Sequence, residues 1–176
     1  MKVIEMELKK ECEICDGRGW YDGWDPNDDG GGGRYECEVC NGTGEVGILM
    51  GKVVAIDFNG VISHFERWKG IDDMGFDTLN ARELIEELIE AGAEVYIYTT
   101  RMNTDVNKGY TIHELRVRIA EYLKYHKYPR WGLHIYDKPG KPLADLYIDD
   151  RAYHHDTNAT WYDDEIESII ERLEGE

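Results

Sequence analysis

Two sets of side chains in this chain have types and spacings suited to chemistry. The first is Cys12-Glu-Ile-Cys15-Asp-Gly17-Arg-Gly19 and Cys37-Glu-Val-Cys40-Asn-Gly42-Thr-Gly44, two copies of Cys-x-x-Cys-x-Gly-x-Gly. A two-residue gap lets both thiolates of a knuckle face one ion, and the glycines permit the tight backbone that follows. Two knuckles complete a tetrahedral four-cysteine zinc site, which is closed and therefore structural. One pair alone would leave a redox dithiol or unligated cysteines equally open, and the matched duplication favours zinc. The second set is scattered along the chain. Asp57 ends the apolar run Val53-Val-Ala-Ile56 and is followed by Asn59 and Gly60. Thr99 follows Val95-Tyr-Ile-Tyr98, Lys141 sits in a Lys-Pro-Gly-Lys-Pro stretch, and Asp149-Asp150 follows Leu146-Tyr-Ile148. A carboxylate at the C-terminal tip of a parallel strand is where an α/β sheet places its chemistry.

The elements that must position these groups divide the chain in two. Residues 1–50 hold all four cysteines and a turn-rich loop, Asp25-Pro-Asn-Asp-Asp-Gly-Gly-Gly-Gly-Arg34, with Trp20, Tyr21 and Trp24 able to supply a small hydrophobic surface between the pairs. So small a core predicts an unfolded segment when no metal is bound. Residues 51–176 alternate strand and helix signals, the pattern of an α/β fold with a parallel sheet. Strands are predicted at 52–57, 94–98, 133–136 and 145–148. A helix is predicted from Asn80, which can cap it with Glu83 reaching back, and Gly92 stops it. A second helix has Thr111 and Glu114 as its capping box and Ile112, Leu115, Ile119 and Leu123 along one stripe. Residues 162–173 form a closing amphipathic helix with acids in its first turn.

Both halves resemble known families. The cysteine repeats resemble the zinc module of DnaJ-type chaperones, although two repeats suffice for one zinc only and a chaperone role does not carry over. The resemblance implies a rigid platform on a metal, suited to a partner protein. Asp57, Thr99, Lys141 and Asp149-Asp150, in that order, resemble the haloacid dehalogenase-like (HAD) superfamily of hydrolases, most of which are Mg²⁺-dependent phosphatases. Lys141-Pro-Leu-Ala-Asp-Leu-Tyr-Ile-Asp-Asp-Arg151 is especially similar to small phosphatase-like members, and the resemblance covers the whole second half. It implies a Rossmann-like three-layer parallel sheet preceded by a small zinc-binding β module.

The resemblance also implies roles. Asp57 would attack phosphorus to form an aspartyl-phosphate. Asp149 and Asp150 would hold Mg²⁺ with Asp57 and the backbone carbonyl of Asn59. Thr99 would bind the phosphoryl group and Lys141 would offset its charge. The family's acid/base aspartate falls on Asn59, whose amide cannot cycle a proton, so proton transfer worth ~10²–10⁴-fold is absent unless another group supplies it. His64 and the pair His154-His155 are the candidate surrogates. The alternative is an inactive domain that binds a phosphorylated ligand or partner protein. Forty-two positions separate Asp57 from Thr99 and another forty-two separate Thr99 from Lys141. Neither interval holds a cap domain, which leaves an open site and favours a bulky substrate, a phosphorylated end of a polymer or protein, or the zinc module as a substitute lid.

Composition narrows the partners. The chain has 176 residues and a net charge of −17, with 5 Lys/Arg against 12 Asp/Glu in residues 1–46 and 15 against 25 in the remainder. Such a surface repels a phosphate backbone, so nucleic acid is not an expected partner. No apolar run approaches the ~20 residues of a membrane span. The charged N-terminus is not a signal peptide, and a cytoplasmic location is expected.

Overall fold

The computed structural model describes residues 7–24, 32–64, 69–138, 140–150 and 163–174. Ten strands and three helices follow in chain order among them. The cysteine-containing part has β1 (Lys9–Glu11), β2 (Trp20–Trp24), β3 (Gly32–Glu36) and β4 (Glu45–Gly47). Then come β5 (Val53–Asp57), β6 (Ser63–His64), β7 (Phe76–Asp77), α1 (Ala81–Glu90) and β8 (Glu94–Tyr98). A 3-10 turn (Thr100–Met102), α2 (Ile112–Tyr125), β9 (Leu133–Ile135), β10 (Leu146–Ile148) and α3 (Asp163–Glu174) complete the chain. No described helix is long and apolar enough to cross a membrane.

A four-stranded parallel sheet, ordered β10-β5-β8-β9, is the centre of the second part. Val54, Ala55 and Ile56 of β5 are all fully buried although alternate side chains leave opposite faces, so this strand is covered on both sides. Leu84, Ile85, Leu88 and Ile89 of α1 pack with Val54, Ile56, Val95 and Ile97 in one apolar cluster, which Ile119 and Leu123 of α2 and Ile166, Ile169 and Ile170 of α3 extend. The mixed α/β architecture with a parallel sheet agrees with the expectation from alternating strand and helix signals.

Local signals behave unevenly. Thr111 and Glu114 form the expected reciprocal capping box. Asn80 stands at the N-cap of α1, but its backbone is left-handed (φ 63°) and its side chain makes no cap hydrogen bond. Glu83 instead accepts from Arg82 at 2.7 Å, which removes it from the predicted box. The small hairpin of β6 and β7 was not legible, because two-residue strands carry no periodicity.

The cysteine-containing part joins the sheet through Leu49, which is fully buried in the main cluster with Leu8 and Ile48 packed beside it. The Leu49 N–H donates to the Ala91 carbonyl at the end of α1 (2.7 Å). Only Gly92 and Ala93 separate residue 91 from β8, so the junction lies at the N-terminal edge of the sheet.

Ile97 is fully buried on β8, between β5 and β9. Ile97→Ala should cost about 2–5 kcal/mol, read as a lower urea midpoint at unchanged slope.

Candidate functional site

The strand order places a topological switch at β5: the chain proceeds from β5 to β8 to β9, then returns to pair β10 on the other side. Crevices form outside the carboxyl ends of strands at such points. Asp57 ends β5, Asp149 and Asp150 follow β10, and one carboxylate oxygen from each of the three lies within 4.8 Å of the others. Gly60 makes room for this approach, since a Cβ there would come within 3.0 Å of the Asp150 Cβ, and its φ of +85° disfavours any other residue.

The three carboxylates are supported unequally. Asp57 Oδ1 accepts from the Phe58 N–H at 2.7 Å. Asp149, 9 % exposed, accepts from the Tyr98 hydroxyl at 2.6 Å and has Lys141 Nζ at 3.8 Å. Lys141 also lies 5.2 Å from the ring centres of Tyr98 and Tyr147, which brace an otherwise exposed ammonium. Burial pushes Asp57 up to about 7, and the adjacent charges of Asp149 and Asp150 add to the rise. Burial and the bond to Asp149 drive the Tyr98 phenol far above its ordinary value, so it remains a neutral donor.

Oxygen donors grouped in this way could hold a hard divalent cation.

Thr99 follows β8, one residue past the position paired with Asp57. Its Oγ1 accepts from the Arg101 N–H at 3.2 Å and from Asn59 Nδ2 at 3.4 Å. Arg101 is the residue sequence reasoning missed. It is 1 % exposed, donates from Nε to Asn59 Oδ1 at 2.7 Å, and reaches the main-chain oxygens of Asp73 (2.7 Å) and Ile71 (3.3 Å). Burial opposes its charge, while Asp73 and Asp57 favour it. An arginine in a loop after a strand reads as solvated, and only the tertiary structure reveals the carbonyls that receive it. Tyr98 was likewise read as a strand residue without a part in the site.

Of the surrogate histidines, His64 is half-buried in β6, opposite Phe76. His154 and His155 lie outside the described residues.

In the cysteine module the four sulfurs converge and are all buried. Cys12 and Cys37 Sγ are 3.8 Å apart, and Cys15 and Cys40 Sγ 3.7 Å. A tetrahedron with metal–sulfur bonds of about 2.3 Å has edges of about 3.8 Å. The repeat's last glycine has a specific use: Gly19 N–H donates to Cys15 Sγ (3.2 Å) and Gly44 N–H to Cys40 Sγ (3.3 Å). The knuckles also exchange bonds, Cys12 N–H to Gly44 O and Cys37 N–H to Gly19 O. A Cβ on Gly19 or Gly44 would strike a carbonyl oxygen of the other knuckle at 2.1 Å. Burial pushes the Cys15 thiol up to about 11. Cys40 feels the same burial, yet the Gly44 N–H and neighbouring thiols bring it down to about 7. Four such sulfurs could hold one metal ion.

Comparison of the chain with protein-family models, with curated proteins and with solved structures gives no match.

Cys15→Ser and Cys40→Ser should each reduce bound metal from about one ion per chain to none, measured by elemental analysis after gel filtration. For Asp57 the folded value of about 7 exceeds the ordinary 3.8, so the folded protein binds the extra proton. Without a divalent cation at the carboxylates, stability is therefore lost as pH rises from about 4 to about 7, by an amount on the order of 4 kcal/mol. Melting curves across this range should show the loss, and Asp57→Asn should flatten it.

Proposed function

We propose that this chain is a Mg²⁺-dependent phosphomonoester hydrolase of the HAD-like type, with an N-terminal structural zinc module of DnaJ-like pattern. The observation that carries the reading is the approach of Asp57, Asp149 and Asp150 to within 4.8 Å at the strand ends. In this reading a carboxylate oxygen of Asp57 bonds to phosphorus while the bond to the leaving oxygen breaks, and that oxygen departs with its electron pair. Water then cleaves the aspartyl-phosphate, releasing phosphate and regenerating Asp57. Thr99 donates to a non-bridging oxygen, and Lys141 offsets the accumulated charge. Asp57, Asp149, Asp150 and the Asn59 carbonyl are the groups that would hold Mg²⁺. The ion supplies positive charge that ionises Asp57 and screens the phosphate from the carboxylates.

Asn59 also supports a second reading, a domain that binds a phosphorylated ligand or partner protein without turnover. Its amide is engaged by Arg101 and Thr99 and has no proton to pass to a leaving group. The readings separate on substrates. A hydrolase lacking this acid should favour leaving groups that depart unprotonated, so an aryl phosphate should exceed an alkyl phosphate by about 10²–10⁴-fold beyond an uncatalysed reference. Turnover should require Mg²⁺ and vanish in Asp57→Asn. Phosphate binding with no turnover of either ester would leave only the second reading.

The buried sulfurs, with edges matching a tetrahedron, support zinc as the module's ion. The acidic chain and the rigid knuckles support a protein partner for the module over nucleic acid.

A further inference from the structure

Asn59 looks like a lost acid only if its side chain is considered alone. The guanidinium Nε of Arg101 carries one hydrogen and can only donate, so the atom 2.7 Å away is the amide oxygen of Asn59. That choice fixes the other end of the amide as the NH₂ group, 3.4 Å from Thr99 Oγ1. The same hydroxyl oxygen accepts the Arg101 main-chain N–H at 3.2 Å. A hydroxyl has two lone pairs and one proton. With both lone pairs taken, Thr99 can enter another hydrogen bond only by donating, and no described residue takes its proton.

We propose that Asn59 is a positioning residue which, held by Arg101, makes Thr99 an obligate donor and so turns the strand-end site into a receptor for a phosphate group. The inference rests on the reading under Proposed function and changes what residue 59 means within it. A carboxylate at 59 offers acceptors only and would face Arg101 on one side. On the other it would draw the Thr99 proton towards itself and away from an incoming anion. Asparagine is the residue that accepts from arginine and donates to threonine at once. Burial holds the chain of contacts in place: Arg101 is bound to the carbonyls of Ile71 and Asp73, and Asn107 Nδ2 donates to the Arg101 carbonyl at 2.9 Å.

The test is a double-mutant cycle read by calorimetric binding of inorganic phosphate to the full metal-loaded chain in Mg²⁺, with thermal melts as a check on folding. Thr99→Val removes the donor and should weaken phosphate roughly ten- to a hundredfold, the worth of a hydrogen bond to a charged acceptor. Thr99→Ser, which keeps the hydroxyl, should stay within about threefold of the native protein. Asn59→Asp should cost about tenfold or more beside Thr99 but no more than about threefold beside Val at position 99, because its effect acts through the missing hydroxyl. Equal costs in the two backgrounds would reduce Asn59→Asp to simple charge repulsion and overturn this inference while leaving hydrolysis standing. Asn59→Asp binding phosphate as tightly as the native chain would overturn it too. Native binding without aryl-phosphate turnover overturns hydrolysis alone, and absence of phosphate binding by the native chain overturns both.

Discussion

Parallel pairing of β5 with β8 on one side and β10 on the other is the constraint from which the site follows. Parallel neighbours bring their C-terminal ends to one edge, so residues distant in sequence arrive together: Asp57 opposite Tyr98, and Ile148 beside Ile56. Asp149 and Asp150 then have only one direction in which to continue. The ladder is itself held by apolar burial on both faces of β5, where Val54, Ala55 and Ile56 leave no solvent-facing position. The energy that assembles the carboxylates therefore comes from the sheet and its helices and is spent against electrostatic repulsion at the edge.

That repulsion explains the character of the neighbouring groups. Lys141 stands 3.8 Å from Asp149 with aromatic rings beside it. Arg101 lies deeper and is committed to main-chain carbonyls and to Asn59. Among the described residues, neither is seen to form a close two-pronged bridge to the carboxylates. Such a bridge would stabilise the cluster permanently and fill the space in which a cation and an anion could meet.

The alternation of apolar runs with amphipathic stretches made the sheet legible, because the β5 and β8 runs end on residues no buried strand would tolerate further along. The cysteine cluster was legible for a different reason: its geometry is local and duplicated, so spacing alone constrains it. Arg101 was illegible. Its burial depends on carbonyls at 71 and 73 that come from a loop with no periodicity, and on Asn59 from another strand end. Asn80 misled for a related reason, since a good capping residue in a left-handed conformation turns its side chain away from the helix it precedes.

Leu49 is the anchor of that module, and it grips the sheet at the edge where the strands begin. Five residues of extended β5, roughly 16 Å, lie between this edge and Asp57. The carboxylates therefore stand at the opposite end of β5 from the point at which the module is attached. A substitution in the knuckles should consequently be felt first at the start of the sheet, a full strand length from the carboxylates.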